Sequence, residues 1–274
     1  MTKIIYRKIP YIYSAKRNQH KMHHRYFIWL SYKGTAYCGW QIQPGSPTVQ
    51  QTLNNALTIL LREDVETTGA GRTDTGVHAS TFVAHFDTAQ SAEELNLTQL
   101  TYKLNRILPA DIGIKRIEEV KPDIHARFSA LSRTYYYFIC MHKDPFQTGR
   151  SWLMERRLNL EAMQQAADLL LAYEDFESFS KTNTQVKTFL CKVSKAQWEQ
   201  EGHMLRFEIM ANRFLRNMVR AIVGTLVDVG LGKISADDFA SIIESRDRSQ
   251  AGYSAPGNGL FLTDVVYPKG YQLL

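Results

Sequence analysis

The hydrophobic and polar positions of this chain switch repeatedly between the two-residue period of strands and the wider period of amphipathic helices. In the first half, aromatic and β-branched runs predict the strands Tyr26–Tyr32, Val65–Thr68, Val77–Phe86 and Ile112–Val120. Apolar residues three and four positions apart predict a helix that Thr48 caps and that runs to Arg62, and a second helix, Thr98–Leu108.

The second half repeats this mixture of strands and helices. Its predicted strands are Ser132–Met141, Thr188–Trp198, Met204–Met210 and Leu260–Tyr267, the middle two paired through a turn at Glu201-Gly202. Its predicted helices are Asn159–Tyr173, Phe214–Val229 and Ser235–Ser245.

The order of these elements lacks regular βαβ alternation, which favours an α+β fold with largely antiparallel sheets flanked by helices. The stretch Pro122–Arg127 is a plausible linker. We therefore expect two similar halves, an N-terminal domain over residues 22–124 and a C-terminal domain over residues 125–274.

Composition is that of a globular protein. Of 274 residues, 44% are hydrophobic and 22% charged, which excludes a disordered chain, a collagen-like repeat and a small disulfide scaffold. Cys38, Cys140 and Cys191 are widely spaced and form no CxxC pair, which predicts a reduced, cytoplasmic protein without structural zinc. No apolar run reaches the roughly 18 residues of a membrane helix, and no secretory signal is visible.

The net charge of +6 lies in one segment. Residues 1–21 contain six basic residues and no acid, which leaves 27 basic against 27 acidic residues in the rest of the chain. This segment is either a basic arm that contacts nucleic acid, or a disordered tail translated from a start codon upstream of Met22. Any positive surface on the body must therefore come from the distribution of its arginines.

The segment from Gly69 to Ala79 contains three glycines within eight residues, with Arg72 and Asp74 between them. Glycines allow a tight turn, and a strand on each side would present the carboxylate rigidly. The segment is neither a phosphate-binding P-loop nor a dinucleotide fingerprint, because the glycine spacing and the following residues differ. By pattern alone, a hairpin with an incidental ion pair is equally consistent.

Gly71-Arg72-Thr73-Asp74-Thr75-Gly76-Val77-His78-Ala79 resembles the catalytic motif of the tRNA pseudouridine synthase A (TruA) family. Other motifs follow in the family's order between Arg25 and Pro268, and they are Tyr37-x-Gly39-Trp40-Gln41, Val49-Gln50-x-x-Leu53, His125-Ala126-Arg127-Phe128, Phe214-Leu215-x-x-Met218-Val219-Arg220 and Gly259-Leu260-x-Leu262. The chain is identified as a member of this family. Thr75 and Thr134 depart slightly from the usual residues, and residues 1–21 have no counterpart.

The resemblance implies the pseudouridine synthase fold, with the active-site cleft between the two halves. It implies an enzyme that isomerises uridine to pseudouridine at positions 38, 39 and 40 of the anticodon stem-loop of tRNA. It also implies a homodimer. The reaction moves the uracil attachment from N1 to C5 without loss of electrons, so we expect no cofactor and no metal.

The resemblance assigns Asp74 as the catalytic carboxylate, Arg220 as its neighbour, Arg72 as the residue that helps to open the stem, and Tyr135 as the base-stacking ring. Arg220 also interrupts the apolar run 218–222, where a charge needs a partner. His78 is a substrate-binding candidate or a packed hydrogen-bonding residue behind the turn. Arginines that are either phosphate contacts or solvated are Arg127, Arg133, Arg213 and Arg216.

The sequence leaves two questions open. Asp74 could attack the substrate covalently or stabilise an oxocarbenium-like or glycal intermediate. An RNA-binding module without catalysis and a glycoside- or nucleoside-cleaving enzyme are the competing functions. Intact Asp74, Tyr135 and Arg220 argue against the first of these, and the lack of a second carboxylate in the motif argues against the second.

Overall fold

The computed structural model describes residues 23–182 and 186–273, and the basic segment 1–21 lies outside these ranges. The strands in this part of the chain are β1 His24–Tyr32, β2 Thr68–Gly69, β3 His78–Thr88, β4 Ile112–Val120, β5 Ser132–Cys140, β6 Trp152–Leu153, β7 Val193–Glu201, β8 Met204–Ala211 and β9 Leu260–Val266. The helices are α1 Val49–Leu61, α2 Ala92–Leu95, α3 Leu97–Ile107, α4 Leu160–Leu169, α5 Met218–Gly230 and α6 Ala236–Ser245.

These strands form one continuous sheet in the order β4-β1-β3-β9-β5-β8-β7, with β2 added to β3 and β6 added to β5. Strands β1 to β4 of the first half lie on one side, and β5 to β9 lie on the other. The pairs along the main path are antiparallel except β3 with β9. The predicted α+β class is confirmed, and the two halves share one sheet.

The parallel pairing of β3 with β9, here called the seam, joins the two halves through His78 opposite Phe261 and Ala79 opposite Leu262. Parallel neighbours begin at the same edge of a sheet, so the loops that precede β3 and β9 lie side by side. A Cβ on Gly257, just before β9, would lie 2.5 Å from the carbonyl oxygen of Thr75. The turn that contains Asp74 is therefore where the halves meet.

Helices cover the sheet in both halves. In the first half α1 packs against α3, and α3 packs against β4; in the second half α4 contacts α5, α6 and β7. Three predicted helix starts are confirmed by side-chain caps, because Thr48, Asn159 and Ser235 accept hydrogen bonds from the first turns of α1, α4 and α6. Helix α5 is buried along most of its length, which explains its apolar sequence.

Three predicted boundaries were wrong by four residues or more. Helix α5 begins at Met218 rather than Phe214, because Asn217 has a left-handed backbone with φ of +67° that interrupts helical geometry. Strand β7 begins at Val193 rather than Thr188, whose hydroxyl instead accepts a hydrogen bond from the nearby N–H of Leu190 over 3.1 Å. Helix α4 ends at Leu169, four residues before the predicted end.

Candidate active site

The turn between β2 and β3 holds Asp74 at the edge of the seam. Strand β2 ends at Gly69 and β3 begins at His78, so a strand lies on each side of the turn, although β2 covers Thr68–Gly69 rather than the predicted Val65–Thr68. The Thr73 hydroxyl is buried and hydrogen-bonds to the Tyr32 hydroxyl on β1, with 2.8 Å between the two oxygens. The residue before Asp74 is thus fixed to the core of the sheet.

The loop after β1 supports the same turn. Gly39 has φ of +89°, and a Cβ there would lie 2.2 Å from the Thr73 carbonyl oxygen, so both backbone angle and space require glycine. The N–H of Trp40 donates to that carbonyl over 3.3 Å. Asp74 therefore stands on backbone that is held from two directions, as a precisely positioned reactive group requires.

Two arginines, one just before α5 and one in its first turn, face the Asp74 carboxylate. Arg220 Nη1 lies 3.4 Å from Oδ2, and Arg216 Nε lies 3.8 Å from Oδ1. The exposed side-chain fraction is 24% for Asp74, 20% for Arg220 and 48% for Arg216. The carboxylate reaches the solvent while cations face both of its oxygens.

Arg220 is also tied to the loop that leads into β9. Its Nε donates to the Ala255 carbonyl over 2.6 Å, and the Ala255 N–H donates back to the Arg220 carbonyl over 2.9 Å. The charge inside the apolar run 218–222 therefore has partners, as its position in the sequence predicted. Arg220 links a carboxylate from the first half to a helix and a loop of the second.

A cleft of about 850 Å³ includes Asp74 in its wall. The charged residues that line it are one acid and five bases, namely Asp74, Arg72, Lys181, Arg216, Arg220 and Arg248. Their net charge is +4, although the charges of residues 22–274 cancel. Cationic side chains of residues 22–274 are therefore concentrated at this cleft. Such a concentration suits a polyanionic ligand such as RNA.

Tyr135 on β5 packs behind the cleft. Its side chain is almost fully buried and meets Phe214 edge to face, with 5.1 Å between ring centroids. Burial raises the pKa of Tyr135 to about 12, with the nearby Arg133 charge opposing the shift and the Asp74 charge adding to it, so the phenol stays neutral. The structure brings Tyr135 close to Asp74 but leaves little of its ring surface for a base.

Further arginines extend the positive surface beyond the cleft. Arg127 is exposed overall, but partial desolvation lowers its pKa, and the charges of Arg72 and Arg213 lower it further. The Arg127 guanidinium lies 5.4 Å from the ring centroid of Phe128, which is 75% exposed. An exposed aromatic ring and grouped arginines are what single-stranded RNA contacts.

Arg133 differs from the other predicted phosphate contacts because its guanidinium is occupied by backbone carbonyls. Its Nη1 donates to Ala130 over 3.0 Å and to Asn212 over 2.8 Å. Its Nη2 donates to Ala70 over 3.0 Å and to Arg127. Arg133 therefore joins the turn that contains Asp74 to the second half, and this placement does not support its predicted contact with substrate.

We expect Arg133→Gln to lower the free energy of unfolding by about 2–4 kcal/mol, because several carbonyls lose a charged donor. Urea unfolding measures this loss. Arg127→Gln, a nearby exposed arginine, is the matched control and should change stability by less than about 0.5 kcal/mol. Full stability combined with weaker RNA binding in Arg133→Gln would instead make Arg133 a phosphate contact.

His78 lies behind the turn with both ring nitrogens engaged. Nδ1 accepts the Gly34 N–H over 3.0 Å, so Nε2 is the protonated nitrogen and donates to the Gly149 carbonyl over 3.0 Å. Burial lowers the pKa of His78, which keeps the ring neutral. The placement matches a packed hydrogen-bonding residue and leaves no ring nitrogen for substrate.

The cleft residues that the sequence analysis missed include Lys181, Arg248 and Tyr253. Arg248 donates to the Ala251 carbonyl over 3.1 Å and to the Ser254 hydroxyl over 2.9 Å. In the sequence these residues occupy irregular polar stretches that look like solvated loops. Only the folded chain brings them into the wall of the cleft that also contains Asp74.

Within residues 23–182 and 186–273, no group of three or more His, Cys, Asp or Glu side chains is placed to hold a metal ion. The same ranges contain no helix with the length and apolar character needed to cross a membrane. Cys38, Cys140 and Cys191 are all free thiols.

Comparison with known proteins agrees with the resemblance seen in the motifs. A family model described as tRNA pseudouridine synthase matches residues 28–129 and 166–268. The chain is 53% identical to tRNA pseudouridine synthase A of Bacteroides fragilis over 89% of its own length and 97% of the relative's. It is 40% identical to tRNA pseudouridine synthase A of Bacillus subtilis over 87% and 97% of the two chains. The chain therefore belongs to the tRNA pseudouridine synthase family, whose enzymes isomerise uridine in tRNA.

Proposed function

We propose that this enzyme converts uridine to pseudouridine at positions 38, 39 and 40 of the anticodon stem-loop of tRNA, with Asp74 as its single catalytic carboxylate. The observation that most supports the proposal is the contact of Asp74 with Arg220 in a cleft whose charged side chains sum to +4. The cleft supplies one reactive carboxylate and five cationic side chains that can pair with phosphates.

The isomerisation requires little beyond the Asp74 carboxylate. The bond from ribose C1′ to uracil N1 breaks, the base turns, and a new bond forms from C1′ to C5. The hydrogen on C5 leaves as a proton, and N1 takes up a proton, so the reaction balances without an oxidant. Asp74 either bonds to the substrate or balances positive charge on the ribose, and both routes fit one ionised carboxylate.

The target base must leave the RNA stack before Asp74 can reach it, which costs a few kcal/mol. In the proposal, Arg72 at the edge of the cleft helps to open the stem, and Arg127 and Arg213 bind phosphates. Tyr135 contacts the flipped uracil once the cleft rearranges enough to uncover its ring. The free energy gained from charge pairing and base stacking in these contacts offsets the cost of removing the base from the RNA stack.

The proposal includes a homodimer that embraces one tRNA and a cytoplasmic location. The homodimer comes from the family resemblance, and the location rests on the three free, widely spaced cysteines, which suit a reducing compartment. Light scattering of the purified protein measures the assembly state directly.

Release of tritium tests the proposed reaction. tRNA transcripts labelled with tritium at uracil C5 are prepared with uridine at only one of positions 38, 39 and 40. We expect each transcript to lose close to one tritium per target uridine, because the C5 hydrogen leaves in the step that forms the new bond.

A transcript without uridine at these three positions is the control and should retain its label. Release from this control would refute the assigned positions. Binding of all transcripts without any release would favour an RNA-binding module, and free uracil among the products would favour a nucleoside-cleaving enzyme.

A further inference from the structure

Tyr253 presents an aromatic ring to solvent from the wall of the catalytic cleft. Its side chain is 80% exposed, and among the described residues no aromatic ring stacks on it. Tyr102 is similarly exposed, at 65%, but lies on α3 and does not line the cleft. Tyr253 therefore combines an open aromatic face with a position in the wall of the cleft that contains Asp74.

The backbone that bears this ring is held firmly. The N–H of Gly252 donates to the Thr225 hydroxyl on α5 over 2.9 Å. Gly224 on the same helix leaves room for the Tyr253 carbonyl, since a Cβ there would lie 1.7 Å from that oxygen. Two residues later, Ala255 is paired with Arg220. The ring is exposed on an ordered backbone rather than on a mobile loop.

The surroundings of Tyr253 are positively charged. Arg248, Arg216 and Lys181 line the same cleft and lie on loops that flank the start of α5. An aromatic face among cations matches the way proteins hold unpaired nucleotides, with stacking on the base and charge on the phosphate. Tyr135 is almost fully buried and offers RNA little ring surface, whereas the ring of Tyr253 is exposed.

We propose that Tyr253 is a second stacking platform, which holds a nucleobase next to the target uridine while that uridine occupies the site of Asp74. This inference rests on the proposed function, because it assumes an RNA substrate in the cleft. It assigns a role to a residue outside the motifs on which the family resemblance was based. The flanking nucleotide would then influence which uridines are modified efficiently.

Fluorescence of 2-aminopurine tests the platform directly. Anticodon stem-loop RNA carries this base on the 5′ or the 3′ side of the target uridine, and the enzyme carries Asp74→Asn so that no turnover occurs. We expect the fluorescence at one of the two positions to be quenched on binding. Adding Tyr253→Ser should remove the quenching and weaken RNA binding about 5- to 100-fold, the factor that corresponds to one stacked base.

Two further variants make the result specific. Tyr253→Phe keeps the aromatic face and should retain the quenching and affinity, whereas Tyr102→Ser, the exposed tyrosine outside the cleft, should leave both unchanged. Equal quenching and equal affinity for Tyr253→Ser and its parent would overturn the inference.

The tritium assay separates this inference from the proposed function. If the wild-type enzyme releases tritium but Tyr253→Ser binds and quenches like its parent, only the stacking role of Tyr253 is refuted. If the wild-type enzyme releases no tritium from any transcript, the proposed function is refuted, whatever the fluorescence shows.

Discussion

Asp74→Asn is expected to reduce tritium release by about 10⁴-fold or more while leaving tRNA binding intact. The amide has nearly the same shape as the carboxylate but cannot act as a nucleophile or balance positive charge on the ribose. Loss of the acid raises the net charge of the cleft lining from +4 to +5, so affinity for phosphate should hold or rise. Single-turnover release and filter binding measure the two effects separately.

Two variants define the requirement at this position. Asp74→Glu keeps the charge but moves it by one methylene, and we expect a loss of about 10²-fold, typical of a reactive group misplaced by an ångström. Asp237→Asn removes an exposed carboxylate from the first turn of α6 and should be fully active. Undiminished release by Asp74→Asn would eliminate the proposed mechanism.

Arg220→Leu should lower the rate of the chemical step by about 10²–10³-fold, with only modestly weaker tRNA binding. The substitution takes away the cation closest to Asp74 and leaves the Ala255 carbonyl without its donor. The loop before β9 should loosen as a result, and the free energy of unfolding should fall by about 1–3 kcal/mol. Single-turnover tritium release and urea unfolding report the two losses.

Arg220→Lys and Arg216→Leu provide the comparison. Lysine keeps the charge but lacks the forked guanidinium that holds Asp74 and Ala255 at once, so its activity should lie between wild type and Arg220→Leu. Arg216 is more exposed and lies further from Asp74, so Arg216→Leu should act mainly on KM. Normal turnover by Arg220→Leu would remove this arginine from the site.

Most elements of the fold could be predicted because their signals are local. The cap at Thr48, the capping box at Ser235 and the aromatic and β-branched run in β1 are each signals carried by neighbours in the sequence. The left-handed residue Asn217 and the pairing of β3 with β9 could not be predicted in this way. The Asn217 side chain donates to the hydroxyl of Ser254, 37 positions further along the chain, and the pairing of β3 with β9 joins residues more than 180 positions apart.

The site residues divide in the same way, into those with a local signal in the sequence and those that only the folded chain brings together. Asp74 and Arg220 were found by motif, and the unpaired charge inside an apolar helix independently indicated a partner for Arg220. Arg133 could not be distinguished from a phosphate contact, because its carbonyl partners come from four separate backbone positions. Tyr253 was missed because exposure and cleft position are properties of the folded chain.

The seam has a consequence for how this enzyme is made. Strand β9 is the last strand of the described chain, yet it occupies the middle of the sheet between β3 and β5. During synthesis on the ribosome, the chain must extend past Val266 before β9 can be inserted and its preceding loop can hold Arg220 against Asp74. Such long-range pairing is a slow step in folding. A nascent chain that stops short of β9 lacks the strand that follows this loop, so the contact of Arg220 with Asp74 is expected to form only after β9 has been synthesised and inserted.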